Sequence, residues 1–158
     1  SLAKNPESDI DLSQGFGVRA PRVQGLEIVK PPYGRVTAID MNSGDHLWWI
    51  ANADTPDRIK NHPLLEGVDL PRTGIPTRAG VLLTKTMLFV AEGTGGAGAS
   101  PIFRAVDKTT GDIIAELDLP QNQTGHPFTY EYDGVQYVAL FVGGGGAAAE
   151  LVAFALPE

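Results

Sequence analysis

Short runs of apolar and β-branched residues, each bounded by turn-forming residues, follow one another along most of the chain. Runs of this length between clusters of Gly, Pro, Asn and Asp are typical of β-strands. The pattern predicts strands over Arg35–Asp40, His46–Ala51, Val81–Thr84, Met87–Glu92, Ile102–Asp107, Asp112–Asp118, Pro127–Tyr132, Val135–Val142 and Glu150–Ala155. The strands within residues 81–118 are expected to form one four-stranded antiparallel sheet, with half a sheet before it and three strands after it.

Two segments lack this alternation of strands and turns. Residues 1–34 are polar and interrupted by Gly and Pro, so they predict an irregular lead-in with one short strand at Leu26–Lys30. Residues 52–79 are Pro-rich and predict a loop-like insertion. The predicted sheets therefore fall within residues 35–158, interrupted once by this insertion.

The last part of the sequence has two possible conformations. Ala147–Leu156 could form a helix, since alanine and leucine favour helices. A strand is preferred for the second half, because Leu151–Phe154 closely follow a strong hairpin signal. That signal is Asp133-Gly134, two residues that tolerate the positive φ of a tight turn.

A turn signature of the form Ala-x-Asp-x-x-(Ser/Thr)-Gly occurs twice, at Ala38–Gly44 and Ala105–Gly111. Its Asp side chain can accept hydrogen bonds from turn N–H groups, and its Gly supplies positive φ where the chain reverses. The copies start 67 residues apart (105 − 38), more than the roughly 40–50 residues of a propeller blade, and the Pro-rich insertion accounts for the excess. Two ordinary hairpins are the alternative, but two copies between matching strands favour repeated blades of a β-propeller.

Composition narrows the classes of partner. The chain is 42% hydrophobic and 20% charged with a net charge of −7, which is ordinary for a globular domain and argues against a nucleic-acid partner. Its apolar runs are shorter than the roughly 18 residues of a membrane-spanning helix. The absence of cysteine excludes disulfides, thiolate zinc sites and cysteine nucleophiles. The first residues lack the apolar core of a signal peptide.

Several patterns that suggest chemistry have simpler explanations. Gly93–Gly98 fits G-x-G-x-x-G, yet a β-rich run follows it, so a loop between strands is preferred over a nucleotide site. His46, His62 and His126 are too scattered for a metal-ligand pattern. The first two are predicted to be structural or surface residues. His126 comes just before a strand that would be innermost in a blade, so it is a candidate for facing the central funnel.

Two pairs of carboxylates could be taken for acid–base pairs, Asp54 with Asp57 and Asp107 with Asp112. Turn capping and solvation explain them better, since Asp is a preferred residue in turns. Neither pair is therefore predicted to be catalytic.

Further segments complete a recognisable pattern outside the turn signature. They are Pro31–Asp40, Thr84–Phe89, Phe103–Asp107, Asp118–Pro120, Pro127–Tyr130, Gly134–Val138 and Leu151–Pro157. In this order they cover roughly residues 31–157, and their combination is specific although no single segment is. On these residues the chain resembles the C-terminal portion of pyrroloquinoline quinone (PQQ)-dependent dehydrogenases, closest to the glucose dehydrogenase-like branch.

The resemblance implies an all-β fold, the C-terminal blades of an eight-bladed β-propeller, with residues 35–158 forming about two and a half four-stranded blades. It implies PQQ near the axis with a Ca²⁺ ion, a periplasmic location, and oxidation of an alcohol or sugar hydroxyl. Electrons would pass to ubiquinone or cytochrome c. The partner would be the remainder of the propeller or a companion chain, so the chain alone is expected to be incomplete, with exposed strand edges.

The resemblance also implies where this chain would approach PQQ. The family's glycine-rich turn after the penultimate strand matches Gly143–Gly146. Relatives carry Trp or His where Gly145 stands, so only backbone contact from Gly144 and Gly145 carries over. In a second approach, Arg78 stands where alcohol dehydrogenases have Trp, followed by Ala79. A guanidinium can pair with a PQQ carboxylate, and a surface or structural role for Arg78 is the alternative.

The chain departs from the family in two further respects. No residue matches the family's catalytic Asp, its metal ligands or its cofactor-binding Lys or Arg. The family's blade motif usually ends in Trp, and Trp48 follows the first copy. A Trp at this place fills the gap between adjacent blades. Ala115 occupies the corresponding place after the second copy, which predicts a weaker junction between blades.

Two other functions remain open. A non-catalytic propeller scaffold or interaction module would use the same repeat, and the residues Gly145 and Ala115 favour it. The segments Pro31–Gly34 and Pro127–Tyr130 favour the dehydrogenase. A self-standing small β domain is the least favoured, because its strand edges would be exposed.

Overall fold

A computed structural model of the chain describes residues 22–93, 99–144 and 146–155, which are built mainly of antiparallel β-strands. The strands are β1 Arg22–Val23, β2 Leu26–Glu27, β3 Arg35–Ile39, β4 His46–Ala51, β5 Val81–Leu83, β6 Met87–Ala91, β7 Ile102–Asp107, β8 Ile113–Asp118, β9 Phe128–Tyr132, β10 Val135–Gly144 and β11 Ala147–Ala155. A short helix α1 spans Asp57–Lys60, and a 3₁₀ helix spans Pro63–Leu65. Neither of these helices is long or apolar enough to cross a membrane, and no other helix occurs in the described ranges.

The described strands pair into the sheets that the sequence predicts. β5, β6, β7 and β8 form a four-stranded sheet in that order, β3 pairs with β4, and β10 lies between β9 and β11. The preferred strand at the end of the chain is confirmed, and it begins at Ala147 instead of Glu150. It is longer than predicted because its first residue already pairs with Gly144 of β10, so pairing overrides the helix propensity of alanine.

The lead-in has more regular structure than the sequence predicts. The described residues up to Lys30 belong to one compact unit, and the described residues from Pro31 onward belong to another. In the first unit, β1 and β2 make a hairpin, whereas the sequence predicts only one strand at Leu26–Lys30. Two-residue strands are too short to produce a detectable alternation. Residues 1–21 lie outside the described residues, and the boundary at residues 34–35 stays a prediction.

The inner strands of the four-stranded sheet, β6 and β7, are covered on both faces. In β6, Leu88 and Val90 pack on the side of β3 and β4, whereas Phe89 and Ala91 pack on the side of β10 and β11. Successive side chains of a strand point to opposite faces, so one strand contributes to two cores. The partly buried neighbours in these cores are Val36, Trp48, Ile50 and Ala79 on one side and Val138, Val152 and Phe154 on the other. Antiparallel sheets stacked in this way are the predicted consecutive blades of a propeller.

Both copies of the repeated turn have the predicted capping. Asp40 Oδ1 accepts hydrogen bonds from the backbone N–H groups two and three residues later, at 2.7 and 3.4 Å. Asp107 Oδ1 does the same at 2.6 and 3.1 Å. Gly44 and Gly111 have φ of 81° and 83°, which an L side chain rarely adopts. The physical basis proposed for the signature is therefore confirmed in both copies.

Trp48 connects the first copy of the signature to the second. Its Nε1 donates a hydrogen bond to the carbonyl of Lys108 at 2.9 Å. Its ring covers Gly111 so closely that a Cβ atom there would lie 2.8 Å from Trp48 Cδ2. The predicted role of this Trp in filling the gap between blades is confirmed. Ala115, at the matching place in β8, is exposed, and the weaker junction expected there stays a prediction.

The Pro-rich insertion is not entirely loop, because it contains α1 and the 3₁₀ helix. Ile59 is buried and anchors α1, whose Lys60 forms an ion pair with Asp54 at 2.7 Å. His62 Nδ1 accepts a hydrogen bond from the N–H of Leu64 at 3.2 Å and caps the 3₁₀ helix. His62 thus has the predicted structural role. Helices of three or four residues are too short for a sequence periodicity to reveal them.

The outer sheets of the stack leave apolar faces uncovered. The exposed residues are Ile39, Leu47 and Trp49 on β3 and β4, and Phe128, Tyr130, Phe141 and Leu151 on β9, β10 and β11. β8 and β9 have strand edges that no described strand pairs with. Open sheets of this kind fit the predicted incomplete propeller and argue against a self-standing domain.

Candidate functional site

The connections that leave β4, β6, β8 and β10 lie at one end of the stacked sheets, because antiparallel strands alternate in direction. We call this end the loop face. It consists of the described parts of these connections, which are residues 52–80, 92–93, 99–101, 119–127, 143–144 and 146. The tight turns capped by Asp40 and Asp107 lie at the opposite end. Arg78, Ala79 and Gly144, the described residues that the sequence places near a cofactor, belong to the loop face.

Arg78 and Ala79 lie just before β5, where the chain returns from the Pro-rich insertion. The Arg78 side chain is exposed and Ala79 is half-buried. Gly93, at the end of β6, packs directly on them, and a Cβ atom there would lie 2.7 Å from the backbone N of Ala79. With φ of 73° and no free space, Gly93 accepts no other residue without strain. The Arg78–Ala79 backbone is therefore closely supported from one side.

Gly80 extends this segment to the neighbouring sheet. A Cβ atom on Gly80 would lie 2.8 Å from His126 Nδ1. The buried carboxamide of Gln123 accepts a hydrogen bond from the N–H of Gly80 at 3.3 Å and donates one to its carbonyl at 3.1 Å. His126, the one histidine proposed to face the funnel, is thus brought next to the Arg78–Gly80 segment.

Gly144 ends β10 on the loop face, directly after Gly143. The N–H of Gly143 donates to the carbonyl of Asn122 at 2.9 Å, which attaches this end of β10 to the connection before β9. Gly144 is exposed, with φ of 104°. An exposed glycine can offer backbone contact without a side chain in the way. Gly145, the other predicted contact, lies outside the described residues.

A cavity of about 250 Å³ lies beside Ala79. It is lined by Gly34, Arg35, Asn52, Ile75, Pro76, Thr77 and Ala79. Asn52 holds two of its walls together, because its N–H donates to the carbonyl of Gly34 at 3.0 Å and its carbonyl accepts from the N–H of Ile75 at 2.8 Å. Arg35 and Arg78 are exposed and form no ion pair within the described part of the chain. Both guanidinium groups can therefore bind an anionic ligand.

A buried ion pair, which was not predicted from the sequence, lies at the base of the connection between β6 and β7. Arg104 Nη2 lies 2.7 Å from Glu92 Oε1, and both side chains are at most 2% exposed. Glu92 Oε2 accepts a hydrogen bond from the N–H of Ser100 at 2.6 Å, so it joins the two ends of the connection between β6 and β7. Arg104 Nε also contacts Glu116 Oε1 at 2.6 Å, and Arg72 reaches the same oxygen at 3.4 Å. Arg104 occupies an inward-facing position of the otherwise apolar strand β7, and this sequence feature could have indicated the ion pair.

Glu116 should make the stability depend on pH. The hydrogen bond from Arg104 holds the pKa of the Glu116 carboxyl below its ordinary value of 4.5. A lowered folded-state pKa stabilises the protein above the unfolded pKa, and this stabilisation is lost as the pH falls through the folded pKa. Glu116→Gln should therefore lower Tm at neutral pH, and its difference from wild type should shrink below pH 4.5. Calorimetry along a pH series tests this, and a constant difference would contradict it.

The remaining sequence candidates do not form a reaction centre. Gly93 begins the connection from β6 to β7, and a strand instead of a helix follows at Ile102, so the nucleotide interpretation is not supported. His46 is exposed at the start of β4. Asp54 pairs with Lys60, whose hydrogen bond lowers the pKa of that carboxyl. Within the described ranges, no group of three or more His, Asp or Glu side chains could hold a metal ion.

Comparison with known proteins identifies a family. The family model described as "PQQ: Glucose/ethanol/alcohol dehydrogenase, beta-propeller domain" matches residues 7–138. The chain is 33% identical over 141 residues to a glycerol dehydrogenase large subunit of Gluconobacter thailandicus, covering 85% of this chain and 18% of that protein. It is 31% identical over 140 residues to quinoprotein glucose dehydrogenase A of Acinetobacter calcoaceticus, covering 85% and 16%. The chain thus spans less than a fifth of the length of these two relatives.

Proposed function

Because the chain belongs to the PQQ family of glucose, ethanol and alcohol dehydrogenases with a β-propeller domain, we propose that it forms part of the cofactor-binding wall of a quinoprotein dehydrogenase. The observation that carries this proposal is the geometry of the loop face. Arg78–Ala79 and Gly144 come from neighbouring sheets, and Gln123 hydrogen-bonds to the residue that follows Ala79. Two relatives are named for glycerol and for glucose, which supports a polyol or sugar hydroxyl as the substrate.

The residues on the loop face fit PQQ. PQQ carries carboxylates, which guanidinium groups bind well. Arg35 lines the cavity, and the exposed Arg78 stands in the chain between two of its lining residues, Thr77 and Ala79. The exposed backbone of Gly144 allows close approach of a flat ring system. When bound, PQQ supplies the quinone that accepts the electrons of the substrate. Arg78 would orient its carboxylate, and Gly144 would limit the position of its ring.

The proton acceptor for the substrate hydroxyl is proposed to lie outside this chain, since no residue here matches the family's catalytic Asp. The same holds for Ca²⁺, because the described residues contain no cluster of acidic side chains that fits it. The proposed enzyme is periplasmic, is completed by the remainder of the propeller or a companion chain, and passes electrons to ubiquinone or cytochrome c. These proposals rest on the family resemblance.

Replacing Arg78 tests the proposal directly. In the full-length protein, Arg78→Ala should weaken PQQ binding about tenfold, because one charge-assisted hydrogen bond is lost. The measurement is a titration of the apoprotein with PQQ followed by absorbance. Lys85→Ala is the matched control, since Lys85 is an exposed cation in the turn between β5 and β6 at the opposite end.

The two possible failures of this experiment are distinct. Equal affinities of the Arg78→Ala and Lys85→Ala variants would contradict the role of Arg78 and leave the family assignment in place. A wild-type protein that binds no PQQ would contradict the proposed function. It would then favour the alternative, a non-catalytic propeller scaffold.

A further inference from the structure

Gln123 lies in the connection between β8 and β9, and it contacts Gly80 and Val142, which adjoin the two segments that are proposed to approach PQQ. We infer that Gln123 is a positioning residue that sets the spacing between Arg78–Ala79 and Gly143–Gly144. The inference rests on the proposed function, and it concerns a residue that is not itself expected to touch PQQ. Only 1% of the Gln123 surface is exposed, so its contacts are with the protein.

The side chain of Gln123 holds the first segment. Its Oε1 accepts from the N–H of Gly80 at 3.3 Å, and its Nε2 donates to the carbonyl of the same residue at 3.1 Å. This pair of bonds needs a group that donates and accepts at the same time, which a carboxamide does. Gly80 is pressed so closely against His126 that a Cβ atom would lie 2.8 Å from its Nδ1. The residue after Ala79 is thus fixed in two directions.

The backbone of Gln123 holds the second segment. Gln123 forms an antiparallel bridge with Val142, the residue before Gly143. On either side of it, the N–H of Gly143 donates to the carbonyl of Asn122 at 2.9 Å, and the N–H of Thr124 donates to the carbonyl of Phe141 at 2.9 Å. The main chain around Gln123 is therefore paired with the end of β10 that leads to Gly144.

These contacts make Gln123 a direct connection between two neighbouring blades on the loop face. A displacement of Gly80 would be passed through one side chain to the strand that carries Gly144. Ligand sites lose affinity when their supporting residues allow small displacements of the contacting groups. A tight fit for PQQ would then depend on Gln123, although the binding atoms belong to other residues.

The experiment compares Gln123→Met with wild type in the full-length protein. Methionine keeps the length of the side chain but cannot replace its paired hydrogen bonds. PQQ titration of the apoprotein should give a Kd raised about tenfold or more, and amide hydrogen exchange at Gly80 should be faster. Gln136→Met is the matched control, because Gln136 is exposed on β10 and loses a comparable bond to Thr129 Oγ1 at 3.0 Å.

A merely structural role would lower Tm without changing PQQ affinity relative to the Gln136→Met control, and this result would overturn the inference. Should Gln123→Met fail to fold, Gln123→Glu is measured in the same way against Gln136→Glu. An ionised Glu can accept from the Gly80 N–H but cannot donate to its carbonyl, and an unchanged Kd would again overturn the inference. Wild-type protein that binds no PQQ would instead refute the proposed function on which the inference rests.

Discussion

Replacing Arg104 by alanine is expected to lower the free energy of unfolding by about 3–5 kcal/mol, because it leaves a buried carboxylate without its partner. The affected group is Glu92, which is 1% exposed and lies 2.7 Å from Arg104 Nη2. Its remaining bond to the N–H of Ser100 cannot neutralise the charge. The loss should appear as a lower midpoint of urea unfolding of the full-length protein. Amide hydrogens in the connection between β6 and β7 should also exchange faster.

Two further variants test whether the loss of stability comes from the unpaired buried charge of Glu92 or would follow from removing any arginine. Arg72→Ala removes an exposed ion pair with Glu116 at 3.4 Å and should cost less than about 1 kcal/mol. Arg104→Met combined with Glu92→Met should restore much of the stability, since apolar residues often replace a buried pair at little cost. Arg104 Nη1 is buried and has no hydrogen-bond partner in the described part of the chain. This unsatisfied group is a further reason to expect that the apolar pair costs little stability. Equal effects of Arg104→Ala and Arg72→Ala would disprove this account.

Replacing Trp48 by alanine should destabilise the junction between β4 and the turn before β8 by about 3 kcal/mol, since it empties the space over Gly111. The substitution also removes the hydrogen bond to the carbonyl of Lys108. Trp48→Phe keeps an aromatic ring in this space but loses that bond and part of the ring system, so it should cost less than Trp48→Ala, about 1–2 kcal/mol. Thermal unfolding of the full-length protein, followed by tryptophan fluorescence and by circular dichroism, measures both variants.

The contact between Trp48 and Gly111 can be isolated by a double-mutant cycle. Gly111→Ala adds a Cβ atom 2.8 Å from Trp48 Cδ2 at a φ of 83°. Gly134→Ala is the control for the strain of placing a side chain at positive φ, because Gly134 has a φ of 77° with nothing within 4 Å. Gly111→Ala should therefore cost more than Gly134→Ala in wild type, and the excess should vanish in the Trp48→Ala background. An excess that persists without the tryptophan ring would show that the ring does not cause it.

The strands could be predicted closely because the alternation that reveals them is local. The bounds of β4 and β7 match the prediction fully, and those of β3 and β8 differ by one residue. The larger error, at the start of β11, arose where the alanine run favours a helix and pairing with β10 favours a strand. Propensity is a local quantity, and pairing depends on a second strand.

The candidate site was only partly accessible from the sequence. Family resemblance placed Arg78, Ala79 and Gly144 near PQQ, which stays a prediction, and the structure puts these residues at the same end of neighbouring sheets. Gln123 was not selected, because a single glutamine in a polar connection carries no pattern. Its partner Gly80 is 43 residues away, and nothing local indicates that pairing.

In the repeated turn, some features follow from the local sequence and others depend on the tertiary structure. The capping by Asp40 and Asp107 follows from the local sequence, because each bond spans two or three residues and needs only a short acceptor and a glycine. The all-β class likewise follows from the sequence, through the period of its apolar residues. Which turn receives Trp48 was decided only by the stacking of sheets, since the ring binds Lys108, 60 residues away. Long-range contacts of this kind depend on how whole strands pack, and local propensities do not encode that.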